Sequence, residues 1–217
     1  MLSKHLHRNS QKRFYGSDKI YFITTNTQQR FSYFSEDLFC RLFIENLKIC
    51  KRLKEFLLYG FIIIPDHVHL LLEPKGKFNI SEIMQYLKRH ISRDINYVLG
   101  ANNEGEIRES NNEGEIRESR LQDGNYAKFR NIIIFHDEQL KIIKNEFDVK
   151  YKDEKFNFPQ FKWQQSFYDH VIRNEKDFYK HLNYIAANCI KHNLCEDEEK
   201  YKWSFLNPEF SDFIDEY

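Results

Sequence analysis

Residues 60–74 read GFIIIPDHVHLLLEP, and the fold turns on how this stretch divides. Two apolar runs flank Pro65-Asp66. A Pro-Asp pair between β-prone runs marks a tight connection, so the stretch predicts two antiparallel strands. In the second strand side chains alternate, which sends His67 and His69 to one side and Val68, Leu70 and Leu72 to the other. A buried imidazole is costly without a partner. The histidines therefore need something to bind.

The flanking sequence supplies the other elements. KIYFITTNT (19–27) is β-branched and aromatic, hence a first strand. SEDLFCRLFIENLKICKRLKEF (35–56) predicts a helix, with Ser35 as its N-cap and Leu38, Leu42, Ile44, Leu47 and Ile49 near helical spacing. Its later turns carry Lys48, Lys51 and Arg52. NISEIMQYLKRHISRDINYVL (79–99) predicts an amphipathic helix capped by Asn79 or Ser81, with Lys88, Arg89 and Arg93 outside. FKWQQSFYDHVIR (161–173) is expected as a third strand, and NEKDFYKHLNYIAANCIKHN (174–193) as a last helix capped by Asn174. The order is α+β, with helices expected on one face of a mainly antiparallel sheet.

The chain of 217 residues is sized for one domain. NNEGEIRES occurs at 102–110 and again at 111–119, too polar and too short to build a solenoid. It predicts a surface insertion at about 100–128. Residues 131–158 stay ambiguous, with IIIF strand-like and HDEQLKIIKNEF helix-like.

Lys+Arg and Asp+Glu number 33 each, so any nucleic-acid role must rest on local patches. Four scattered cysteines without a C-x-x-C pair suggest reduced thiols and a cytoplasmic location. No apolar run approaches the roughly eighteen residues of a membrane span.

An H-x-H on one strand is a bidentate platform for a divalent cation, although an isolated pair is more often two hydrogen-bonded histidines. The last helix adds a second pattern. Phe178, Leu182, Ile185 and Cys189 form one apolar stripe, and His181, Tyr184, Asn188 and Lys191 a polar stripe beside it. Tyr184 and Asn188 lie one turn apart, so a phenol could stand next to a metal that the Asn188 oxygen also ligates.

IIPDHVHLLLEP resembles the histidine-hydrophobic-histidine motif of the HUH endonucleases. Together with WQQSFYDHVIR and YIAANCIKHNL it resembles the REP-associated tyrosine transposases, a branch of the insertion-sequence-200-like single-tyrosine transposases. The resemblance runs from about Tyr21 to Leu194. It implies a ferredoxin-like fold, His67, His69 and Asn188 as ligands of Mg²⁺ or Mn²⁺, and Tyr184 as nucleophile. A phenol, with a pKa of about 10 in water, attacks poorly at neutral pH unless a cation or base assists. The implied reaction nicks and joins single-stranded or hairpin DNA through a 5′-phosphotyrosine, in a monomer or a homodimer.

Lys48, Lys51, Arg52, Lys88, Arg89 and Arg93 are the candidates for phosphate contacts, with His170 and Arg173 in support. The family continues its Tyr-Ile-x-x-Asn pattern with Pro, where this chain has Cys189; a straighter helix is expected here. Two other functions fit the residues: a domesticated DNA-binding protein of the same fold without cleavage, and a metal hydrolase that uses H-x-H alone.

Overall fold

The computed structural model describes residues 19–101, 126–152 and 158–217, with side chains of the helix that begins at Tyr126 described from residue 135. The tandem repeat at 102–119 lies outside the described residues.

Four strands, β1 (Tyr21–Asn26), β2 (Phe56–Ile64), β3 (His67–Pro74) and β4 (Tyr168–Val171), form one sheet in the order β2-β3-β1-β4. Every neighbouring pair is antiparallel. With α1 (Asp37–Lys54) after β1 and α2 (Ile80–Val98) after β3, the chain is α+β in the β-α-β-β-α-β order of ferredoxin-like folds. Further on come α3 (Tyr126–Lys150), α4 (Glu175–Ala186) and the short α5 (Asn188–Lys191).

The alternation expected in β3 divides the core in two. Val68, Leu70 and Leu72 pack with Phe39, Phe43 and Leu47 of α1 and Ile83, Leu87 and Ile91 of α2. Leu71 faces the opposite way, into a second cluster with Phe22, Ile62, Phe178, Ile185 and Cys189. Helices therefore cover both faces, not one: an amphipathic stripe shows that a helix must be covered but not by which side of the sheet.

β2 changes parity on the way. Its register shifts between Leu58 and Gly60, so Tyr59 joins the second cluster while Phe61 and Ile63 join the first. Gly60 leaves room there for a side chain of α4. A Cβ would lie 2.8 Å from Leu182 Cδ1, so glycine lets α4 seat closely on the sheet.

Other differences from the sequence reading have local causes. Glu36, not Ser35, caps α1, its carboxylate accepting from the Leu38 amide; Ser35 instead donates to Ser32 O. Asn79 caps α2 in a capping box with Glu82, and Asn174 caps α4. Of 161–173 only Tyr168–Val171 is strand; before it, Trp163 makes a single bridge to Thr27. The strand-like IIIF lies within α3, whose covered stripe of His136, Leu140, Ile143 and Phe147 repeats at helical spacing. α3 begins at Tyr126, inside the limit of 128 expected for the insertion. Residues 203–215, unassigned from the sequence, run beside β2, where Phe205 N donates to Phe61 O and Asp215 N to Leu58 O.

Two features of the α1/α2 layer set measurable stability effects. Asp94 has no exposed surface; it accepts from Asn46 Nδ2 at 2.7 Å and Arg93 Nε at 3.0 Å, and stands 3.0 Å from His136 Nε2. It joins α1, α2 and α3 in one network. Asp94→Ala removes the shared acceptor and should cost about 3 kcal/mol in urea unfolding. Nearby, burial and then the Arg93 guanidinium push the His90 imidazole from 6.5 down to about 3. The unfolded chain thus takes up a proton near pH 6.5 that the folded chain refuses until about pH 3. Stability should fall as pH drops through that window, and His90→Gln should flatten the decline in urea midpoints.

Candidate active site

His67 and His69 are 4 % and 3 % exposed, on the α4 face of β3. Their ring centroids are 4.8 Å apart. Each Nδ1 is engaged: Asp66 Oδ1 lies 2.6 Å from that of His67, and Thr24 Oγ1 2.8 Å from that of His69. An ionised Asp66 requires His67 Nδ1 to donate, and Thr24 Oγ1 can accept from His69 Nδ1 in the same way. Both Nε2 atoms then keep their lone pairs. Asp66 is itself held by Arg30, 3.2 Å away, and by its turn, where Asp66 O accepts from Thr27 N. The Pro65-Asp66 connection thus aims His67 as well as joining two strands.

Burial holds both imidazoles neutral, the form that ligates. For His69, burial first and then the neighbouring His67, His192, Lys191 and Arg30 lower the pKa to about 3; for His67, burial outweighs the opposing pull of Asp66.

The C-terminal helices bring the remaining residues to this face. The Tyr184 ring stands edge-on to His69 at 5.3 Å and to Phe22 at 5.8 Å, and Tyr184 is 39 % exposed. Its oxygen accepts from Lys191 Nζ at 3.3 Å. His192 brings a third imidazole, 5.0 Å from His67.

Asn188 is 1 % exposed, yet neither its Oδ1 nor its Nδ2 has a hydrogen-bond partner, and His69 Nε2 is buried without one too. Orphaned buried polar atoms are costly and rare. Two of the three expected ligands thus present unused donor atoms on the side of the sheet where Tyr184 stands. Two imidazoles and an amide oxygen form a donor set suited to Mn²⁺ or, with added oxygen ligands, Mg²⁺. The residues fit a divalent cation.

The last helix is not straight. It breaks at Ala187, where ψ is −1°, and Asn188 opens a separate turn. The break occurs without proline. Nor are all four cysteines free: Cys189 and Cys195 form a disulfide, while Cys40 and Cys50 are buried thiols. No C-x-x-C spacing announces a pair six residues apart.

His170 is engaged away from His67 and His69. Its Nε2 lies 2.9 Å from Asp177 Oδ2, and its ring stacks on His181 at 4.7 Å, which in turn packs on Phe22. Potential ligand atoms of His170, Asp177 and His181 lie within 4.8 Å of one another. They serve one another instead: the Asp177 carboxylate takes His170 and the Arg173 amide, and His181 Nδ1 donates to Asp177 O. This cluster seats α4 on β4. Asp177 was legible only as a first-turn acid. The Arg173 side chain is exposed.

The six basic candidates divide. Lys48, Lys51 and Arg52 lie at the end of α1, which like α2 packs on the face opposite the histidines, with Lys48 paired to Glu45 and Lys51 to Asp215. Arg93 is tied to Asp94. Lys88 and Arg89 instead line an open groove of about 440 Å³ with Gln28, Lys162, Trp163 and Gln164. Gln164 bonds Asn26, the register partner of His67, so this groove adjoins the histidine end of the sheet.

Comparison with known proteins agrees with the sequence blocks. A family model described as Transposase IS200 like matches residues 17–108, which include both histidines. A Haemophilus influenzae protein named as a REP-associated tyrosine transposase is 23% identical over 186 residues, 85% of this chain and 78% of that protein. A solved structure of a REP-associated tyrosine transposase bound to a REP hairpin aligns with TM-score 0.57 and 17% identity, over 96% of this chain and 89% of that one. The structural match carries the fold. The resemblance to REP-associated tyrosine transposases is borne out by the family model and this relative, and the fold by the solved structure.

Proposed function

We propose that the chain is a transposase of the REP-associated tyrosine type, a divalent-metal-dependent enzyme that nicks and rejoins single-stranded, hairpin-forming DNA. The observation that supports it is the packing of the Tyr184 ring on His69, together with the partnerless buried donor atoms of His69 and of Asn188.

In this reading His67, His69 and Asn188 hold Mg²⁺ or Mn²⁺. When bound, such a cation draws charge from the non-bridging oxygens of a scissile phosphate. Asp66 and Thr24 keep the two imidazoles turned to present Nε2. Phe22 and His69 pack edge-on against the Tyr184 ring, which stays 39 % exposed. Tyr184 attacks phosphorus in line, forming a 5′-phosphotyrosyl bond and releasing a 3′-hydroxyl. Because the bond energy is retained, a 3′-hydroxyl can reverse the step and join strands without ATP. The groove along Lys88 and Arg89 offers cations and amides for DNA leading to the site. Among the described residues no helix is long and apolar enough to cross a membrane.

The test is incubation with hairpin-bearing single-stranded DNA and Mn²⁺ or Mg²⁺, then a denaturing gel. A covalent protein–DNA adduct is expected. Binding without adduct or nick would leave the non-cleaving DNA-binding reading in its place.

A further inference from the structure

Several lysines of this chain face an acid. Lys51 lies 2.6 Å from Asp215, Lys150 2.7 Å from Glu36, Lys202 2.8 Å from Asp37 and Lys48 3.3 Å from Glu45. Lys191 differs. Among the described residues no carboxylate pairs with it; its Nζ donates to Tyr184 Oη at 3.3 Å and lies 5.1 Å from the centre of the same ring.

Its backbone is held in place. Lys191 N donates to Ala187 O, Asn193 adopts a left-handed φ of 56°, Leu194 N returns to Cys189 O at 2.9 Å, and the Cys189–Cys195 disulfide closes the segment. An ammonium without a carboxylate partner among the described residues thus stands beside the oxygen that the proposed reaction uses as nucleophile. In-line attack brings that oxygen to about 3 Å from phosphorus. A group hydrogen-bonded to the oxygen then reaches the phosphoryl oxygens as well.

We propose that Lys191 is a further catalytic residue, binding a non-bridging oxygen of the scissile phosphate while Tyr184 attacks. The assignment rests on the transposase reading above. In the step, the Tyr184 Oη–P bond forms and the P–O3′ bond breaks, and the proton lost by the phenol is made up, through solvent, on the departing 3′-oxygen. Lys191 stays an ammonium throughout. It contributes fixed positive charge where negative charge gathers on the phosphoryl group, from the side of the nucleophile. Arginine can make the same contact; an apolar side chain of similar length cannot.

The experiment is single-turnover adduct formation on hairpin-bearing single-stranded DNA with Mn²⁺, at saturating DNA, for wild type, Lys191→Met and Lys191→Arg. Affinity and thermal unfolding are measured in parallel. The Met variant should lose about 100-fold in the saturated rate while its hairpin affinity changes by less than about threefold, as suits one phosphate contact among several. The Arg variant should recover to within about tenfold of wild type. Unfolding temperatures should match, since the side chain is exposed. A Met variant near the wild-type rate, a defect wholly in affinity, or an Arg variant as slow as Met would overturn the assignment. No adduct from the wild-type chain would overturn the transposase reading and this assignment with it.

Discussion

Tyr184→Phe should leave a folded chain that still holds hairpin DNA and forms no covalent adduct. The substitution keeps the ring that packs edge-on against His69 and Phe22 and removes one partly exposed oxygen whose hydrogen bond is to Lys191. Losing that bond should shift stability by less than about 1 kcal/mol. Adduct formation should fall by at least about 10³-fold, because no remaining atom can take the oxygen's place. Added Mn²⁺ should restore nothing. Persistence of the adduct would shift the role to another tyrosine. Tyr179 and Tyr168 are next in line, exposed at 46 % and 50 %, but Tyr179 packs on Phe178 and Tyr217 instead of the histidines. Nicking without an adduct would favour the hydrolase.

His69→Ala should fail by a different route, visible before any DNA is added. If His69 Nε2 ligates a cation, Mn²⁺ at 100 times its Kd stabilises the wild-type fold by about 2.7 kcal/mol. The variant should show no such thermal shift, and its cleavage should fall by about 10³-fold, with partial recovery at high Mn²⁺. The lost ring also stacks on Phe22 at 5.3 Å, so Ala should cost about 2 kcal/mol in packing. His69→Gln separates the effects, since it refills space without restoring the imidazole. An undiminished Mn²⁺-induced shift in both variants would remove His69 from the metal site.

Much of this arrangement could be read from the chain because period-2 and period-3.6 signals agree there with simple chemistry. The Pro-Asp turn, the facing of His67 with His69 and the caps at Asn79 and Asn174 are short-range features. The misreadings arose where tertiary context decides. IIIF is β-branched, and only the covering of Ile143 and Phe147 shows which period wins. The C-terminal helix carries no proline, yet breaks at Ala187. His170 looked like a partner for the histidines, whereas Asp177, seven residues on, takes its nitrogen. That Lys88 lies beside the histidine end of the sheet while Lys51 lies at the far end of α1 could not be read from two equally basic helices.

The parity of β3 implies a division of labour within one strand. Even-numbered positions, Val68, Leu70 and Leu72, look into the α1/α2 layer, and odd-numbered ones, His67 and His69, into the site. Scored separately for cellular abundance and for strand transfer, a saturation library would alternate residue by residue between the two phenotypes from 67 to 70, whereas Leu71, in the second core cluster, would answer for abundance. Thermostability can then be raised from one side of the sheet without retuning the chemistry on the other.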